Sequence, residues 1–315
     1  MTTDNALSLR QFSDGLAAAV ARASASTVLI SARRHIPATG VAWAADGLIV
    51  TADHAIETED DITVGLPDGR EVQAQLVGRD PSSDLALVRI EAADLPAAEL
   101  APPGSTRVGN LVLAAGRPAR GEPQASLGVV SAISGPSRGR GPTQIEGYLR
   151  TDITFFPGFS GGPLVDVEGR VIGINVSLIG GPRGFRPARQ AFGQGFTIDA
   201  ASVTKVADLL RTHGRVRRAY LGIASQPVNI PAALAGDSAE QTTGLLVVNV
   251  EADTPAAGAG LLVGDILIGI DDAPIHDAHD LQQALGPERI GATVRLQLVR
   301  GGARHELPVT LGVRD

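Results

Sequence analysis

Short apolar segments separated by turn residues are the feature that most constrains the fold of this chain. Turn signals such as Pro67-Asp68-Gly69 separate the segments, and the 315 residues include 38 glycines and 20 prolines. This pattern is typical of short strands in an antiparallel barrel or sandwich, and it disfavours a helical bundle. The predicted strands include residues 27–31, 47–51, 61–66, 71–77, 85–90, 110–115, 128–133 and 171–177.

Two segments instead have a helical period. Residues 5–24 place their apolar side chains on one stripe, which predicts a short amphipathic helix. Residues 199–213 do the same, with Asp199 or Ser202 available to cap the start and Gly214 to end the helix. These helices flank the β-rich segment on both sides.

A second, smaller module follows the basic link at residues 215–218. Its apolar runs predict strands near 244–250, 265–270 and 292–299, with a short helix at about 277–285. We therefore expect three parts: an N-terminal helical segment at 1–25, a β domain at 26–213, and a linker with a small domain at 214–315.

Charge and composition exclude several classes of protein. The net charge of −7 argues against a sequence-independent grip on nucleic acid, which needs a basic surface. The chain has no cysteine, which excludes a disulfide framework, thiolate metal sites and a cysteine nucleophile. His276, Asp277, His279 and Asp280 lie at a turn and a helix start without the pattern of a metal site. We expect neither a metal nor another cofactor.

The N-terminus predicts a cytoplasmic location. The first 30 residues lack the basic start and unbroken apolar core of a signal peptide, because Asp4, Arg10, Asp14 and Arg22 are scattered through them. No stretch of about 18 uncharged apolar residues predicts a membrane span. The alternative is a periplasmic or extracytoplasmic protein from which a leader has been removed.

Ser160 lies between glycines, in the segment Pro157-Gly-Phe-Ser-Gly-Gly-Pro-Leu164, just before an apolar strand. Small neighbours let a substrate carbonyl approach the hydroxyl, and backbone N–H groups can converge on the oxygen that becomes negative. Glycine- and serine-rich turns are common, so this segment alone is only moderately specific. Ser160 is a candidate nucleophile.

Two further residues can complete a catalytic set with Ser160. His54 follows the apolar strand 48–50, and Asp84 directly precedes the strand 85–90. Each has an ordinary structural alternative, because a histidine at a strand end is usually structural and an aspartate before a strand is usually a turn cap. The chain order His, Asp, Ser is that of chymotrypsin-like proteases.

Several motifs together resemble the HtrA (Deg) family of trypsin-like serine proteases. They are Gly47 to His54 (GLIVTADH), Leu66 to Glu71 (LPDGRE), Ser83 to Val88 (SDLALV), Gly128 to Ser131 (GVVS), Thr151-Asp152 and Ser160 to Leu164 (SGGPL). The C-terminal part adds Tyr220-Leu221-Gly222-Ile223, which resembles a PDZ carboxylate-binding loop, and Gly264 to Leu267 (GDIL). The resemblance runs from about residue 26 to the C-terminus.

The resemblance implies a mainly β chain, with a chymotrypsin-like double β-barrel followed by one PDZ domain. It implies an endopeptidase for unfolded or damaged proteins, in which Ser160 attacks, His54 transfers the proton and Asp84 orients His54. The backbone N–H groups of Gly158 and Ser160 would form the oxyanion hole. Asp53, Asp80 and Asp152 are competing carboxylates, but Asp84 matches the family position.

The implied partners are unfolded proteins and peptide C-termini. Tyr220, Leu221, Gly222 and Ile223 are expected to bind a peptide terminus or an extended segment. The N-terminal helix with Phe12 is expected to help assembly into a homotrimer or a multiple of it. A catalytically weak or inactive peptide-binding holdase of the same fold is the alternative.

Substrate preference is predicted from the position six residues before the serine, which lies at the base of the pocket in trypsin-like enzymes. An aspartate there selects basic side chains, whereas this chain has Thr154. With Ile174 and Val176 near the expected pocket wall, the pocket would accept small or medium aliphatic residues.

The chain departs from the family pattern at Phe159, where HtrA enzymes usually carry asparagine. Aromatic residues are scarce, at 3%, and six of the seven phenylalanines lie between residues 155 and 196. We expect Phe155, Phe156 and Phe159 in the loop before Ser160, and Phe185, Phe192 and Phe196 near the same cleft. An ordinary core position is the alternative, above all for Phe196. The arginine-rich segment 180–189 stands where the family has an activation loop.

Overall fold

The computed structural model describes residues 2–33, 37–91, 95–119, 123–134, 147–176, 195–230 and 241–314. The chain divides into two compact units, the first ending at Arg215 and the second beginning at Val216. The first unit contains two closed six-stranded barrels, as expected for a chymotrypsin-like fold.

The first barrel closes in the order β1-β2-β3-β6-β5-β4, with antiparallel pairing throughout. Its strands are rich in β-branched and other apolar residues, and Ile30, Ile49 and Val88 fill the interior. Its strands are β1 Thr27–Ser31, β2 Ala38–Ala42, β3 Leu48–Ala52, β4 Ile62–Gly65, β5 Glu71–Asp80 and β6 Leu85–Ile90.

The second barrel closes in the order β10-β11-β12-β9-β8-β7. Val112, Val130, Leu149 and Leu164 are buried in its core. Its strands are β7 Leu111–Gly116, β8 Gln124–Ser134, β9 Tyr148–Thr151, β10 Pro163–Val165, β11 Val171–Val176 and β12 Gly195–Asp199.

Helices border the two barrels. Helix α1, Thr2–Ala25, packs Ala19 and Ala23 against apolar residues of the second barrel. Helix α2, Ala200–His213, begins where the Asp199 carboxylate accepts a hydrogen bond from the Ser202 N–H. It ends at Gly214, whose φ of 71° suits the left-handed position after a helix, as predicted. No helix among the described residues is both long and apolar enough to cross a lipid bilayer.

The second unit is built on one antiparallel sheet, in the order β14-β15-β16-β18-β19, with β17 paired to β16 and a separate β13-β20 pair. Burial alone would raise the pKa of Asp265, but hydrogen bonds from Arg300 and the Leu262 N–H outweigh it, and the pKa is lowered. The elements are β13 Arg218–Tyr220, β14 Ile223–Asn229, β15 Thr243–Val250, α3 Pro255–Gly258, β16 Ile266–Ile270, β17 Ala273–Pro274, α4 Ala278–Ala284, β18 Thr293–Arg300, β19 Ala303–Thr310 and β20 Gly312–Arg314.

Candidate active site

Strand pairing in the first barrel brings His54 and Asp84 together. Ala52, the last residue of β3, lies opposite Leu85, the first residue of β6, so the residues just beyond these ends are also neighbours. The Asp53 N–H donates to the Asp84 carbonyl at 3.0 Å. His54 then lies in a single turn of 3₁₀ helix, Asp53–Ala55, directly over Asp84.

The His54 and Asp84 side chains are in close contact, and a hydrogen bond from the His54 backbone supports this contact. The Nδ1 atom of His54 lies 2.8 Å from both carboxylate oxygens of Asp84. The His54 backbone N–H also donates to Asp84 Oδ1, at 3.0 Å. A carboxylate at Nδ1 leaves Nε2 as the nitrogen that can exchange a proton with a substrate or nucleophile.

The competing carboxylates are engaged elsewhere. Asp53 is buried and accepts a hydrogen bond from Arg79 Nε at 2.5 Å, which holds the turn that carries His54. Asp80 accepts from the Ser82 hydroxyl at 2.7 Å. Asp152 accepts from the Val129 N–H at 2.6 Å. Of the candidate carboxylates, Asp84 is the one that contacts His54.

Ser160 follows a tight turn, Phe156 to Phe159, which we call the serine turn. The Phe159 N–H donates to the Phe156 carbonyl at 3.1 Å, and Gly158 has a φ of +88°. Proline at the second position and a positive φ at the third define a type II turn, so Pro157 and Gly158 supply the residues that this geometry requires.

The segment after the turn lies against the strand that leads to His54. Gly161 borders the Thr39 carbonyl, the Thr51 hydroxyl and the Ala52 N–H. Ser160 itself is half-buried and so remains accessible. Among the described residues its hydroxyl is not hydrogen-bonded to His54; such bonds often form only when substrate is present.

Two backbone N–H groups beside Ser160 are free to bind an anion. Within the described residues, neither the Gly158 N–H nor the Ser160 N–H has a protein acceptor. The intervening Phe159 N–H is used inside the serine turn. Paired free donors next to a serine hydroxyl are an arrangement that can stabilise a developing oxyanion.

Phe159 fills the core of the second barrel. Its side chain is fully buried and packs so closely on Gly116 that a Cβ there would lie 2.5 Å from Phe159 Cδ1. Its ring meets Phe156 edge to face, with centroids 5.4 Å apart. Phe155 packs against the same core, whereas Phe156 is exposed on one side. The aromatic residues before Ser160 therefore anchor its loop in the barrel.

The other aromatic predictions have mixed outcomes. Phe196 is on β12, under Arg150, whose guanidinium carbon lies 5.9 Å from the ring centroid. Phe185, Phe192 and the segment 180–189 lie outside the described residues.

The three residues named for the specificity pocket differ in exposure. Thr154 is exposed, just beyond β9. Ile174 and Val176 are buried on β11, at 0% and 4% exposure. Of the three, Thr154 is the one whose side chain is exposed.

Sequence reasoning missed Tyr148 and Thr39. Burial raises the pKa of Tyr148 to about 12, and the charges of Asp80 and Asp84 add to this, so the phenol remains neutral near Asp84. Thr39 is fully buried on β2 and contacts the loop that carries Ser160. Tyr148 lies in a segment without a recognised motif, and Thr39 lies 119 residues before its partner.

In the second unit, the four residues named for peptide binding join β13 to β14. Leu221 is buried in the core, and its carbonyl accepts from the Ala256 N–H at 2.9 Å. Tyr220 donates its hydroxyl proton to Glu251. Within the described residues, the N–H groups of Leu221 and Gly222 have no protein acceptor. Free N–H groups at a strand entry can receive a carboxylate.

His276, Asp277 and Asp280 form hydrogen bonds at the start of α4. The Asp280 N–H donates to Asp277 Oδ1, and the His276 N–H donates to Asp280 Oδ2, so the carboxylates cap α4. Among the described side chains, no group of three or more histidines, aspartates or glutamates is placed to hold a metal ion.

Comparison with known proteins agrees with both units. The trypsin-like peptidase domain family matches residues 38–174, and the PDZ domain family matches residues 219–311. Among curated relatives, a probable periplasmic serine endoprotease, DegP-like, of Pseudomonas fulva is 38% identical over 269 residues, which are 85% of this chain and 54% of that protein. One from Chlamydia trachomatis is 33% identical, over 89% of this chain and 54% of that protein. The chain spans about half the length of the curated relatives it matches.

Solved structures match over nearly the whole chain. The HtrA-type protease AlgW with a decapeptide is 30% identical, with a TM-score of 0.77 over 95% of this chain and 99% of that one. The serine endoprotease from Yersinia pestis is also 30% identical, with a TM-score of 0.76 over 95% and 98%.

The prediction of a cytoplasmic location is wrong. The curated relatives are named periplasmic endoproteases. The prediction used only the first 30 residues, and residues 2–25 form helix α1, which packs on the second barrel. A helix that belongs to the folded unit carries no information about location.

The geometry predicts that Asp84→Asn strongly lowers the rate at which Ser160 reacts. The amide keeps the shape of the side chain but favours the wrong His54 tautomer, so the rate should fall roughly 10⁴-fold with little change in stability. Labelling of Ser160 by a fluorophosphonate, measured over time, tests this. Asp152→Asn, which leaves the His54 contact intact, is the matched control; equal labelling rates for both variants would contradict the assignment.

Proposed function

Because the chain belongs to the HtrA family of trypsin-like serine proteases, we propose that it is a serine endopeptidase acting on unfolded or damaged proteins. The observation that carries the proposal is the 2.8 Å contact between His54 Nδ1 and Asp84, beside a serine turn with free N–H groups. This arrangement supplies a base, its orienting carboxylate, a nucleophile and an anion site.

In the first half of the proposed reaction, Ser160 Oγ attacks the carbonyl carbon of a peptide bond. His54 Nε2 takes the hydroxyl proton as the Oγ–C bond forms, and Asp84 stabilises the resulting imidazolium through Nδ1. The carbonyl oxygen becomes negative and is received by the Gly158 and Ser160 N–H groups. His54 then gives its proton to the leaving amine, which departs and leaves an acyl-enzyme.

Water completes the reaction by the same groups. His54 removes a proton from a water molecule as the water oxygen attacks the acyl carbon, and the same backbone donors receive the oxyanion again. When the intermediate collapses, the proton returns to Ser160 Oγ. The products are a free carboxylate and the enzyme in its starting state, and no cofactor takes part.

The second unit is proposed to bind peptide C-termini. The free N–H groups of Leu221 and Gly222 lie at the start of β14, an edge strand of the sheet. An extended peptide can add to such an edge, with its carboxylate received by the free N–H groups.

We include assembly as a homotrimer, or a multiple of it, in the proposal. Leu9 and Phe12, three positions apart on helix α1, expose 68% and 50% of their surface and together offer an apolar contact for another copy of the chain.

Cleavage is proposed after small or medium aliphatic residues. Thr154 is exposed and uncharged at the position where an aspartate would attract a basic side chain. Without that charge, burial of an arginine or lysine would lack a compensating partner and be unfavourable.

The central test compares wild type with Ser160→Ala on unfolded casein and on a fluorophosphonate probe. Wild type should cleave casein and acquire one label, and Ser160→Ala should do neither. Ser131→Ala, which alters an exposed serine on β8, is the matched control and should behave as wild type. A wild type that suppresses aggregation of unfolded protein but neither cleaves nor labels would instead establish the holdase alternative.

A peptide library tests the pocket. Wild type should prefer alanine, valine or isoleucine at the cleaved position, and Thr154→Asp should shift the preference towards arginine and lysine. A wild type with strong preference for arginine would contradict the pocket assignment without affecting the assignment of Ser160.

A further inference from the structure

We propose that Thr39 is a positioning residue, an inference that rests on the proposed function. It holds the serine turn so that the Gly158 and Ser160 N–H groups can bind the oxyanion. Thr39 lies on β2 in the first barrel, whereas the serine turn belongs to the second. Its hydroxyl donates to the Gly158 carbonyl at 2.7 Å, and its N–H donates to the Ser160 carbonyl at 3.1 Å.

The direction of the hydroxyl is fixed by a third group. The Arg117 N–H donates to Thr39 Oγ1 at 2.9 Å, and an N–H cannot accept in return. The hydroxyl proton is therefore left for the Gly158 carbonyl. Thr39 is fully buried, so water does not compete for either bond.

These contacts hold two peptide groups, one between the Gly158 and Ser160 donors and one directly after the Ser160 donor. In the peptide between Gly158 and Phe159, the carbonyl is bound by Thr39 and the N–H by Phe156. In the peptide between Ser160 and Gly161, the carbonyl is bound by Thr39 and the Gly161 N–H donates to the Asn175 carbonyl at 2.7 Å. With both peptides fixed at both ends, the Gly158 and Ser160 N–H groups are the ones that remain free.

Thr39→Val removes the hydroxyl and keeps the shape of the side chain. The Gly158 carbonyl then loses its buried donor, so the serine turn can rotate its N–H groups away from the oxyanion. We expect kcat to fall roughly tenfold to a hundredfold, less than the 10²- to 10³-fold cost of deleting an oxyanion donor, with KM nearly unchanged. Thr39→Ser keeps the hydroxyl and should recover kcat to within about threefold.

Thr27→Val is the matched control. Thr27 is also fully buried, and its hydroxyl also donates to a backbone carbonyl at 2.7 Å, but that carbonyl belongs to Ala23 in helix α1. Thermal midpoints of both variants are measured beside kcat and KM. If Thr39→Val does not fold, Thr39→Ala against Thr39→Ser makes the same comparison.

Equal kcat losses in Thr39→Val and Thr27→Val, or no recovery in Thr39→Ser, would show that Thr39 is only structural. A wild type that does not label with a fluorophosphonate would contradict the proposed function itself, before any Thr39 variant is compared.

From a separate observation in the second unit, we infer that Pro227 limits how many residues of a peptide ligand can pair with β14. The Gly222 carbonyl accepts from the Glu251 N–H, and the Ile230 N–H donates to the Thr242 carbonyl, both at 2.9 Å. Even-numbered residues of β14 therefore face β15, because backbone groups alternate along a strand. The backbone groups of the odd-numbered residues, Ile223, Ser225 and Pro227, point to the free edge of the sheet.

The third of these outward positions lacks a donor. A peptide whose carboxylate meets Leu221 and Gly222 would place its last residue opposite Ile223, its third-last opposite Ser225 and its fifth-last opposite Pro227. Ser225 offers both an N–H and a carbonyl, whereas proline has no N–H. The hydrogen-bond ladder between the peptide and β14 therefore weakens beyond the third-last residue. Longer peptides gain little affinity from their additional residues.

Binding is measured by fluorescence polarisation with labelled free-carboxylate peptides of three, four, six and eight residues, and with amidated versions. For wild type, affinity should change less than about threefold between four and eight residues. Pro227→Ala adds one donor and should tighten the six- and eight-residue peptides roughly three- to tenfold, with the three-residue peptide unchanged. Pro308→Ala, in the opposite edge strand β19, is the matched control.

A wild type that binds eight residues ten times more tightly than four, with Pro227→Ala unchanged, would overturn the inference. If no free-carboxylate peptide binds, the peptide-binding role is wrong and this inference with it, whereas cleavage of casein would still stand.

Discussion

The contact between the two barrels through Thr39 and Arg117 is the constraint on which the site depends. His54 and Asp84 come from the first barrel and Ser160 from the second, so neither barrel contains a complete site. Thr39 reaches from the first barrel to the Ser160 segment. Arg117, at the end of β7, reaches back: its buried guanidinium donates to the Thr27 carbonyl at 3.0 Å and the Ser24 carbonyl at 3.3 Å. A buried cation held by carbonyls is costly to displace, which fixes the relative position of the barrels.

The residues of the site could be predicted where local sequence determines their placement. His54 and Asp84 flank two apolar runs whose antiparallel pairing brings them together, and Ser160 follows a Pro-Gly pair that encodes its turn. The apolar pattern does not predict strand β2, because Thr39 and Gly40 interrupt it. Gly40 is required because a Cβ there would lie 2.8 Å from Ile49. The contacts of Thr39 join residues more than a hundred positions apart, and no local pattern encodes such a pairing.

The role of Phe159, where the chain departs from the family pattern, becomes clear only from the fold. In the sequence Phe159 stands between Gly158 and Ser160, the two expected oxyanion donors. In the structure its N–H serves the serine turn while its ring is buried in the barrel core. Backbone and side chain thus point to different parts of the molecule, and burial of an aromatic ring contributes more to holding the turn than an exposed polar side chain would.

The sheet of the second unit has two edges that could pair with unwanted strands. Its two edge strands, β14 and β19, each contain a proline, Pro227 and Pro308, at positions where an inner strand would need an N–H. Proline on an edge strand is a common protection against edge-to-edge association. On β14 the residues before Pro227 retain their outward donors, so the protection leaves a short pairing segment next to the Leu221 and Gly222 N–H groups. If this edge binds peptides as proposed, the short pairing segment would favour chain termini over long internal segments.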